Sequence, residues 1–153
     1  MLKNVYWMSR VDAMKIQPKS TEALISVSNP DNPAQVNSSW APSKLLRIGC
    51  HDADEDKRHS LGDINHQGIG SIIINCKLFN EQDAREIIKF VRDNKNKVET
   101  IYVHCDAGIS RSAAIAKFIA GIYNLEFPDH YMLYNKLIYT TLTNTFNKMQ
   151  YGE

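Results

Sequence analysis

Four short runs of β-branched or aliphatic residues recur along the chain, and each is bounded by polar or turn residues. Runs of this length and composition predict β-strands. They are nearly continuous apolar sequences without strict alternation, which is typical of strands covered on both faces of a parallel sheet. The four predicted strands span residues 5–8, 23–27, 45–48 and 100–104.

Two segments carry apolar residues at the i, i+3, i+4, i+7 spacing of a helix. The first begins after Asn80, a good N-cap residue with Asp83 at the N3 position, and is expected to run to about Asp93. The second has its apolar stripe between positions 115 and 122 and follows directly on residues 108–112. Its N-terminus therefore adjoins that short segment.

The remaining segments carry weaker signals. Pro128 and Asp129 are expected to open a further helical region that continues through residues 131–149, and residues 52–79 are expected to form a loop with one extra strand or short helix. Strands separated by helices predict an α/β fold with a central, mostly parallel sheet of about four to five strands flanked by helices. The length of 153 residues predicts one domain over residues 1–153.

Composition narrows the functional classes. Lys and Arg number 18 against 17 Asp and Glu, and no basic run stands out, so nucleic acid is not expected as a partner. No stretch approaches the roughly 18 apolar residues that span a bilayer, and none near the N-terminus resembles a signal peptide. We therefore expect a cytoplasmic protein without a membrane partner. Three cysteines without a C-x-x-C pair argue against a disulfide framework and a zinc site.

Residues 101–112 combine a buried-type strand, a compact loop and the start of a helix. Successive backbone N–H groups in such a loop form an anion-binding concavity, which the dipole of the following helix reinforces. This arrangement predicts a phosphate site. The loop positions expected to surround the phosphate are Asp106, Ala107, Gly108, Ile109, Ser110 and Arg111.

A cysteine and an arginine flank this loop. The loop amides, the helix dipole and the Arg111 guanidinium all favour the thiolate form of Cys105, which makes Cys105 the predicted nucleophile. Arginine's planar fork matches two phosphate oxygens at once, so Arg111 is the predicted phosphate clamp. Ser112 is expected to hydrogen-bond the sulfur and to assist its departure, and His104 to orient the loop through hydrogen bonds.

These residues carry a family resemblance. His104, Cys105, Gly108, Arg111 and Ser112 match every fixed position of the signature H-C-x-x-G-x-x-R-S/T, by which the chain resembles the protein tyrosine phosphatase superfamily. The signature lies two-thirds along a short chain. This position is similar to that of the signature in the compact dual-specificity enzymes and their bacterial or phage-type relatives. The resemblance implies a cofactor-independent and metal-independent phosphomonoester phosphatase with a phosphocysteine intermediate. It also implies phosphorylated proteins as substrates, which carry either phosphotyrosine alone or phosphoserine and phosphothreonine as well.

The resemblance also implies an aspartate general acid just after an upstream strand. Asp52 matches that position best, and Asp54 is the second candidate. The chain departs from the family pattern in two ways: it lacks the Trp-Pro-Asp form of the acid loop, and its spacing to Cys105 implies an insertion around residues 56–79. Further acid candidates in this region are Glu55, Asp56 and Asp63.

Several alternatives stay open at the level of sequence. The main one is a phosphate-binding module that recognises phosphorylated partners without efficient turnover; a sulfurtransferase or an arsenate reductase would share the Cys-x5-Arg loop. The absence of lysines inside the loop weakens the case for a phosphoinositide substrate. The oligomeric state and any redox role of Cys50 or Cys76 are not defined by the sequence. Four irregularly spaced residues could be considered as metal ligands, but no metal is expected: His51, His59, Asp63 and His66.

Overall fold

A computed structural model describes residues 1–53 and 76–151. Its strands are β1 (Asn4–Ser9), β2 (Glu22–Ser28), β3 (Leu45–Gly49) and β4 (Thr100–Cys105). They form one sheet in the order β1-β4-β2-β3, and every neighbouring pair is parallel. The four predicted strands are confirmed, each one or two residues longer than its apolar run, and so is the prediction of a parallel α/β sheet.

The helices of the described residues are α1 (Arg10–Met14), α2 (Glu81–Asn94), α3 (Arg111–Tyr123) and α4 (Lys136–Tyr151), and a short 3-10 helix spans Pro42–Lys44. The predictions of α2 and α3 are confirmed. At the start of α2, Asn80 Oδ1 accepts a hydrogen bond from the Asp83 N–H at 2.9 Å, and Asp83 Oδ2 accepts one from the Asn80 N–H at 3.1 Å. This reciprocal capping box satisfies two donors at the helix end.

The predicted helix opening at Pro128 is wrong, because α4 begins only at Lys136. The reason lies in tertiary contacts of the preceding residues. Asn135 donates its backbone N–H to the Ser110 carbonyl at 3.0 Å, and its Oδ1 accepts from the Ile138 N–H at 2.9 Å. Asn135 therefore acts as the N-cap of α4. The helix α1 was not predicted, since five residues are too few to show a helical period.

The core lies between the sheet and the three longer helices. Ile25 and Val103 on one sheet face belong to the same buried cluster as Ile88 of α2, Ile119 of α3 and Leu142 of α4. Strand β2 is buried along its whole length, as expected for a central strand of a parallel sheet. Within residues 1–53 and 76–151, no helix is long and apolar enough to cross a membrane.

The parallel topology brings the carboxyl ends of all four strands to one edge of the sheet. The register pairs Ser9 with Cys105 and Ser28 with Gly49, so the strands end at nearly the same level. Ligands of open parallel sheets bind outside this edge. The first residues after the strands therefore meet there: Arg10 after β1, Asn29 after β2, Cys50 after β3 and Asp106 after β4.

Candidate active site

The loop formed by residues 106–110 joins β4 to α3. Cys105 is the last residue of β4, and Arg111 is the first residue of α3. Ser110 is the N-cap of α3, but its side chain makes no capping hydrogen bond. The leading N–H groups of α3 are thus left without the side-chain acceptor that usually occupies a helix start, as an anion site at a helix N-terminus requires.

Gly108 allows this loop to lie directly against β1. Its φ angle is +72°, in the left-handed region that favours glycine. A Cβ at this position would lie 2.4 Å from the backbone nitrogen of Ser9 and 2.5 Å from the carbonyl carbon of Met8. Both the backbone conformation and the close approach therefore exclude any other residue without rearrangement of the loop.

Three carbonyl oxygens of the loop accept hydrogen bonds from two other segments of the chain. Carbonyls directed outward are characteristic of a loop whose N–H groups converge on an anion. The three hydrogen bonds run from the Arg10 N–H to the Asp106 carbonyl at 3.1 Å, from the Asn135 N–H to the Ser110 carbonyl at 3.0 Å, and from the Tyr131 hydroxyl to the Ile109 carbonyl.

Cys105 lies at the bottom of the loop, with only 2% of its surface exposed. The Ser112 hydroxyl lies 3.1 Å from its Sγ atom, within hydrogen-bond distance. Ser112 belongs to the first turn of α3 and is itself fully buried. The helix start therefore supplies a hydroxyl directly beside the sulfur, at the point where a leaving thiolate would need a hydrogen-bond donor.

His104 is fully buried next to Cys105, and its ring lies within hydrogen-bond distance of two strands, β4 and β2. Nδ1 lies 3.2 Å from the Cys105 carbonyl oxygen, and Nε2 lies 2.6 Å from Ser26 Oγ. A carbonyl can only accept, so Nδ1 carries the hydrogen and Nε2 accepts from the Ser26 hydroxyl. Burial lowers the pKa of His104, which favours this neutral ring and a positioning role.

Arg111 is anchored by the segments that follow three strands. Its Nη1 donates to Asn29 Oδ1 and to the Cys50 carbonyl, each at 2.8 Å, and its Nη2 lies 3.4 Å from Asp106 Oδ2. The side chain is almost fully buried. These contacts fix the orientation of the guanidinium plane, so little side-chain entropy remains to be lost when phosphate binds.

Asp106 connects two arginines at the edge of the loop. Besides its contact with Arg111, its Oδ1 lies 3.1 Å from Nε of Arg10. Arg10 thus partly balances the negative charge that Asp106 brings next to the phosphate site. Within the loop, Ala107 and Ile109 are exposed.

Asp52 is brought to the loop by two side chains. The Ser110 hydroxyl donates to Asp52 Oδ1 at 2.8 Å, and Nδ2 of Asn135 donates to the same oxygen at 2.9 Å. Nδ2 of Asn135 also donates to the Ala53 carbonyl at 3.2 Å. The candidate acid therefore lies at the mouth of the loop that holds Cys105 and Arg111.

The other candidates lie elsewhere or outside the described residues. Cys50 is buried, which raises the pKa of its thiol to about 12, and Cys76 is partly exposed. Nδ1 of His51 accepts a hydrogen bond from the Lys77 N–H at 2.9 Å, and no metal-binding group of three or more residues occurs among the described residues. The remaining candidates lie outside the described residues: Asp54, Glu55, Asp56, His59, Asp63 and His66.

Sequence reasoning missed the partners that orient the site. Asn29 and the Cys50 carbonyl hold Arg111, and Arg10 contacts Asp106. Asn135 holds Asp52. A usable signal was present for three of them, because Arg10, Asn29 and Cys50 each lie two residues after a predicted strand of a parallel sheet. Nothing in the local pattern singled out Asn135.

Comparison with known proteins adds little to this geometry. No protein-family model matches the chain, and no curated protein matches it. Among solved structures, the chain is similar to the crystal structure of a human tyrosine phosphatase-like serine/threonine/tyrosine-interacting protein. The two share 16% sequence identity with a TM-score of 0.48, over 97% of this chain and 93% of that chain. This likeness defines no function, and the residues of the loop are the observations that bear on it.

Proposed function

We propose that this protein is a phosphomonoester phosphatase of the cysteine-dependent tyrosine or dual-specificity type. The observation that carries the proposal is the convergence of Cys105, Ser112 and the anchored Arg111 guanidinium around one loop at a helix N-terminus. The Cys105 thiol provides the nucleophile, and the Ser112 hydroxyl beside it stabilises the sulfur when it leaves. The anchored Arg111 guanidinium can bind two phosphate oxygens at once and so acts as the phosphate clamp. The chemistry requires no metal ion or cofactor.

In the first step, the Cys105 thiolate attacks the phosphorus atom as the bond to the leaving oxygen breaks. The loop amides and Arg111 stabilise the equatorial oxygens of the transferring phosphoryl group. Asp52 gives its proton to the leaving oxygen, so the alcohol or phenol departs neutral. The products of this step are the phosphocysteine and an ionised Asp52.

In the second step, water attacks the phosphocysteine and the S–P bond breaks. Asp52 accepts a proton from the attacking water, so the same group serves as acid and then as base. The Ser112 hydroxyl donates to the departing Cys105 sulfur and stabilises the returning thiolate. Inorganic phosphate then leaves, and the starting protonation states are restored.

The rival is a phosphate-binding module of the same architecture without efficient turnover. The contact of Asp52 with Ser110 favours the enzyme, since it supplies a carboxyl group at the loop that pure binding would not need. Hydrolysis of an aryl phosphate in the presence of EDTA separates the two. We expect turnover by the wild type, none by Cys105→Ser, and phosphate binding that persists in Cys105→Ser but is lost in Arg111→Ala.

Turnover that disappears with EDTA and returns with zinc or manganese would contradict the mechanism. Phosphate binding without turnover by the wild type would support the binding module instead. We expect vanadate, which mimics the transferring phosphoryl group, to inhibit competitively with substrate.

A further inference from the structure

Exposed hydrophobic side chains concentrate around the candidate active site. Eight large hydrophobic residues of the described part of the chain are exposed, and two of them, Met1 and Tyr151, are its first and last described residues. Of the other six, only Tyr6 lies outside the loop and the two segments bound to it. The five remaining residues, Val11, Met14, Ile109, Met132 and Leu133, are between 47% and 66% exposed. We call these five the apolar rim.

One half of the apolar rim is fixed to the far end of the loop. The Tyr131 hydroxyl donates to the carbonyl of Ile109, itself a rim residue, and the Asn135 N–H donates to the Ser110 carbonyl at 3.0 Å. Met132 and Leu133 lie between these two anchors. The backbone is thus held against the loop while both side chains remain exposed to solvent.

The other half lies at the near end of the loop, on α1. Arg10 begins this helix and contacts Asp106 through its backbone N–H at 3.1 Å and through its side chain. Val11 and Met14 follow at i, i+3 spacing and therefore share one helix face. The two halves thus adjoin the first and the last residues of the same loop.

Apolar side chains held at a site without contributing to the core indicate a binding surface. Contiguous exposed apolar surface beside a functional site is characteristic of ligand or partner recognition. Two of the five rim residues are methionines, whose flexible side chains adapt to varied apolar partners. The core itself is built from other residues of the sheet and of α2, α3 and α4.

We propose that the apolar rim binds aliphatic or aromatic side chains that flank the phosphorylated residue of a protein substrate. This inference rests on the proposed function and names its substrate class. A polypeptide whose phosphorylated side chain is directed at Arg111 passes over this loop and meets the rim residues beside it. The partly exposed Asp106 carboxylate beside the loop opposes the alternative, a membrane surface dense in anionic phosphate headgroups.

The test measures binding of phosphotyrosine peptides to full-length Cys105→Ser by fluorescence anisotropy, so that it does not depend on turnover. Matched peptides carry leucine or serine at the positions flanking the phosphotyrosine. We expect the leucine peptides to bind about tenfold more tightly, the effect of burying part of two leucine side chains. Adding Met132→Ser and Leu133→Ser to Cys105→Ser should abolish most of this preference.

Tyr151→Ser, which also removes an exposed hydrophobic side chain but lies at the end of α4, is the matched control and should retain the preference. Val11→Ser with Met14→Ser tests the other half and provides a second variant if the first does not fold. Equal binding of leucine and serine peptides, or a preference that survives both pairs of substitutions, would overturn the proposal.

Two further measurements separate the alternatives. The first measures binding to phosphatidic acid vesicles. If the Met132→Ser/Leu133→Ser variant loses this binding, and its Cys105→Ser parent shows no preference between the peptides, the rim binds a lipid surface and the proposal is overturned. Hydrolysis of p-nitrophenyl phosphate by the wild type tests the proposed function separately, because this small ester carries no flanking side chains. A peptide preference without hydrolysis would retain the rim and refute the phosphatase.

Discussion

The Ser110 hydroxyl donates a hydrogen bond to Asp52 Oδ1 at 2.8 Å. This bond joins the segment after β3 to the loop between β4 and α3, and Asn135 Nδ2 reinforces it at 2.9 Å on the same oxygen. Asp52 is thereby held against the loop between β4 and α3. The contact makes the role of Asp52 testable through the leaving group.

Asp52→Asn should slow hydrolysis in a manner that depends on the substrate. General acid catalysis is typically worth about 10²–10⁴-fold, so we expect a loss of that order with phenyl phosphate, whose leaving group needs a proton. The loss should be clearly smaller with p-nitrophenyl phosphate, provided that phosphoenzyme hydrolysis does not limit both rates.

Asp54→Asn is the paired control and should leave both rates nearly unchanged. A leaving-group-dependent loss in Asp54→Asn, and none in Asp52→Asn, would identify Asp54 as the acid. If neither variant shows it, the donor must be sought among Glu55, Asp56 and Asp63.

The elements of the fold follow from local patterns, whereas the connections of the site do not. Apolar runs and the Asn80 cap were sufficient to locate four strands, α2 and α3, because each signal lies within a few consecutive residues. Tyr131 and its apolar neighbours resemble a helical segment in sequence, yet a hydrogen bond to Ile109 holds this stretch against the loop. Tertiary contacts of this kind override local propensity.

The signature located the nucleophile and the clamp but not the residues that orient them. Arg111 and Asn29 are 82 positions apart, and Asp52 and Asn135 are 83 positions apart. Contacts at such separation depend on the strand order and on the start of α4. Neither can be derived from hydrophobic periodicity.

Iodoacetate should alkylate Cys105 before Cys50 below pH 7. Burial raises the pKa of the Cys50 thiol to about 12, so its reactive thiolate is nearly absent at that pH. Cys105, in contrast, adjoins the loop that leads into the N-terminus of α3. Peptide mapping by mass spectrometry after limited alkylation measures the order, with inorganic phosphate expected to protect Cys105. Equal labelling of Cys50 and Cys105 would contradict the proposed electrostatics of the loop.

Protonation of His104 should destabilise the fold as the pH falls. Burial lowers the pKa of His104 in the folded state, so below about pH 6.5 the unfolded chain binds a proton that the folded protein does not. The neutral ring therefore contributes its full stability above that pH. As the pH falls from there towards the pKa of His104 in the folded state, the free energy of unfolding decreases by up to about 1.4 kcal/mol per pH unit. Urea unfolding at about pH 7.5 and pH 5.5 should show a smaller difference in His104→Gln than in the wild type. An equal difference would show that other groups cause the acid sensitivity.

Gly108→Ala should disrupt the loop and not merely weaken it. The left-handed backbone alone costs about 1–3 kcal/mol for a residue with a side chain, and the new methyl group would meet Ser9 and Met8 backbone atoms inside 3 Å. We expect loss of phosphate binding and a lower free energy of unfolding. Gly121→Ala is the control, because a Cβ there meets no atom within 4 Å and alanine favours the helix. Normal phosphate affinity in Gly108→Ala would contradict the close packing of the loop on β1.

The central claim is that Cys105 carries the phosphoryl group during turnover, and mass spectrometry of the rapidly acid-quenched enzyme tests it most directly. After mixing with an aryl phosphate in EDTA, we expect a peptide containing Cys105 to gain the mass of one phosphoryl group. The modification should be absent at this position in Cys105→Ser and should accumulate further in the wild type if phosphoenzyme hydrolysis is slow. Turnover without phosphocysteine, or a phosphoryl group found on another residue, would contradict the account.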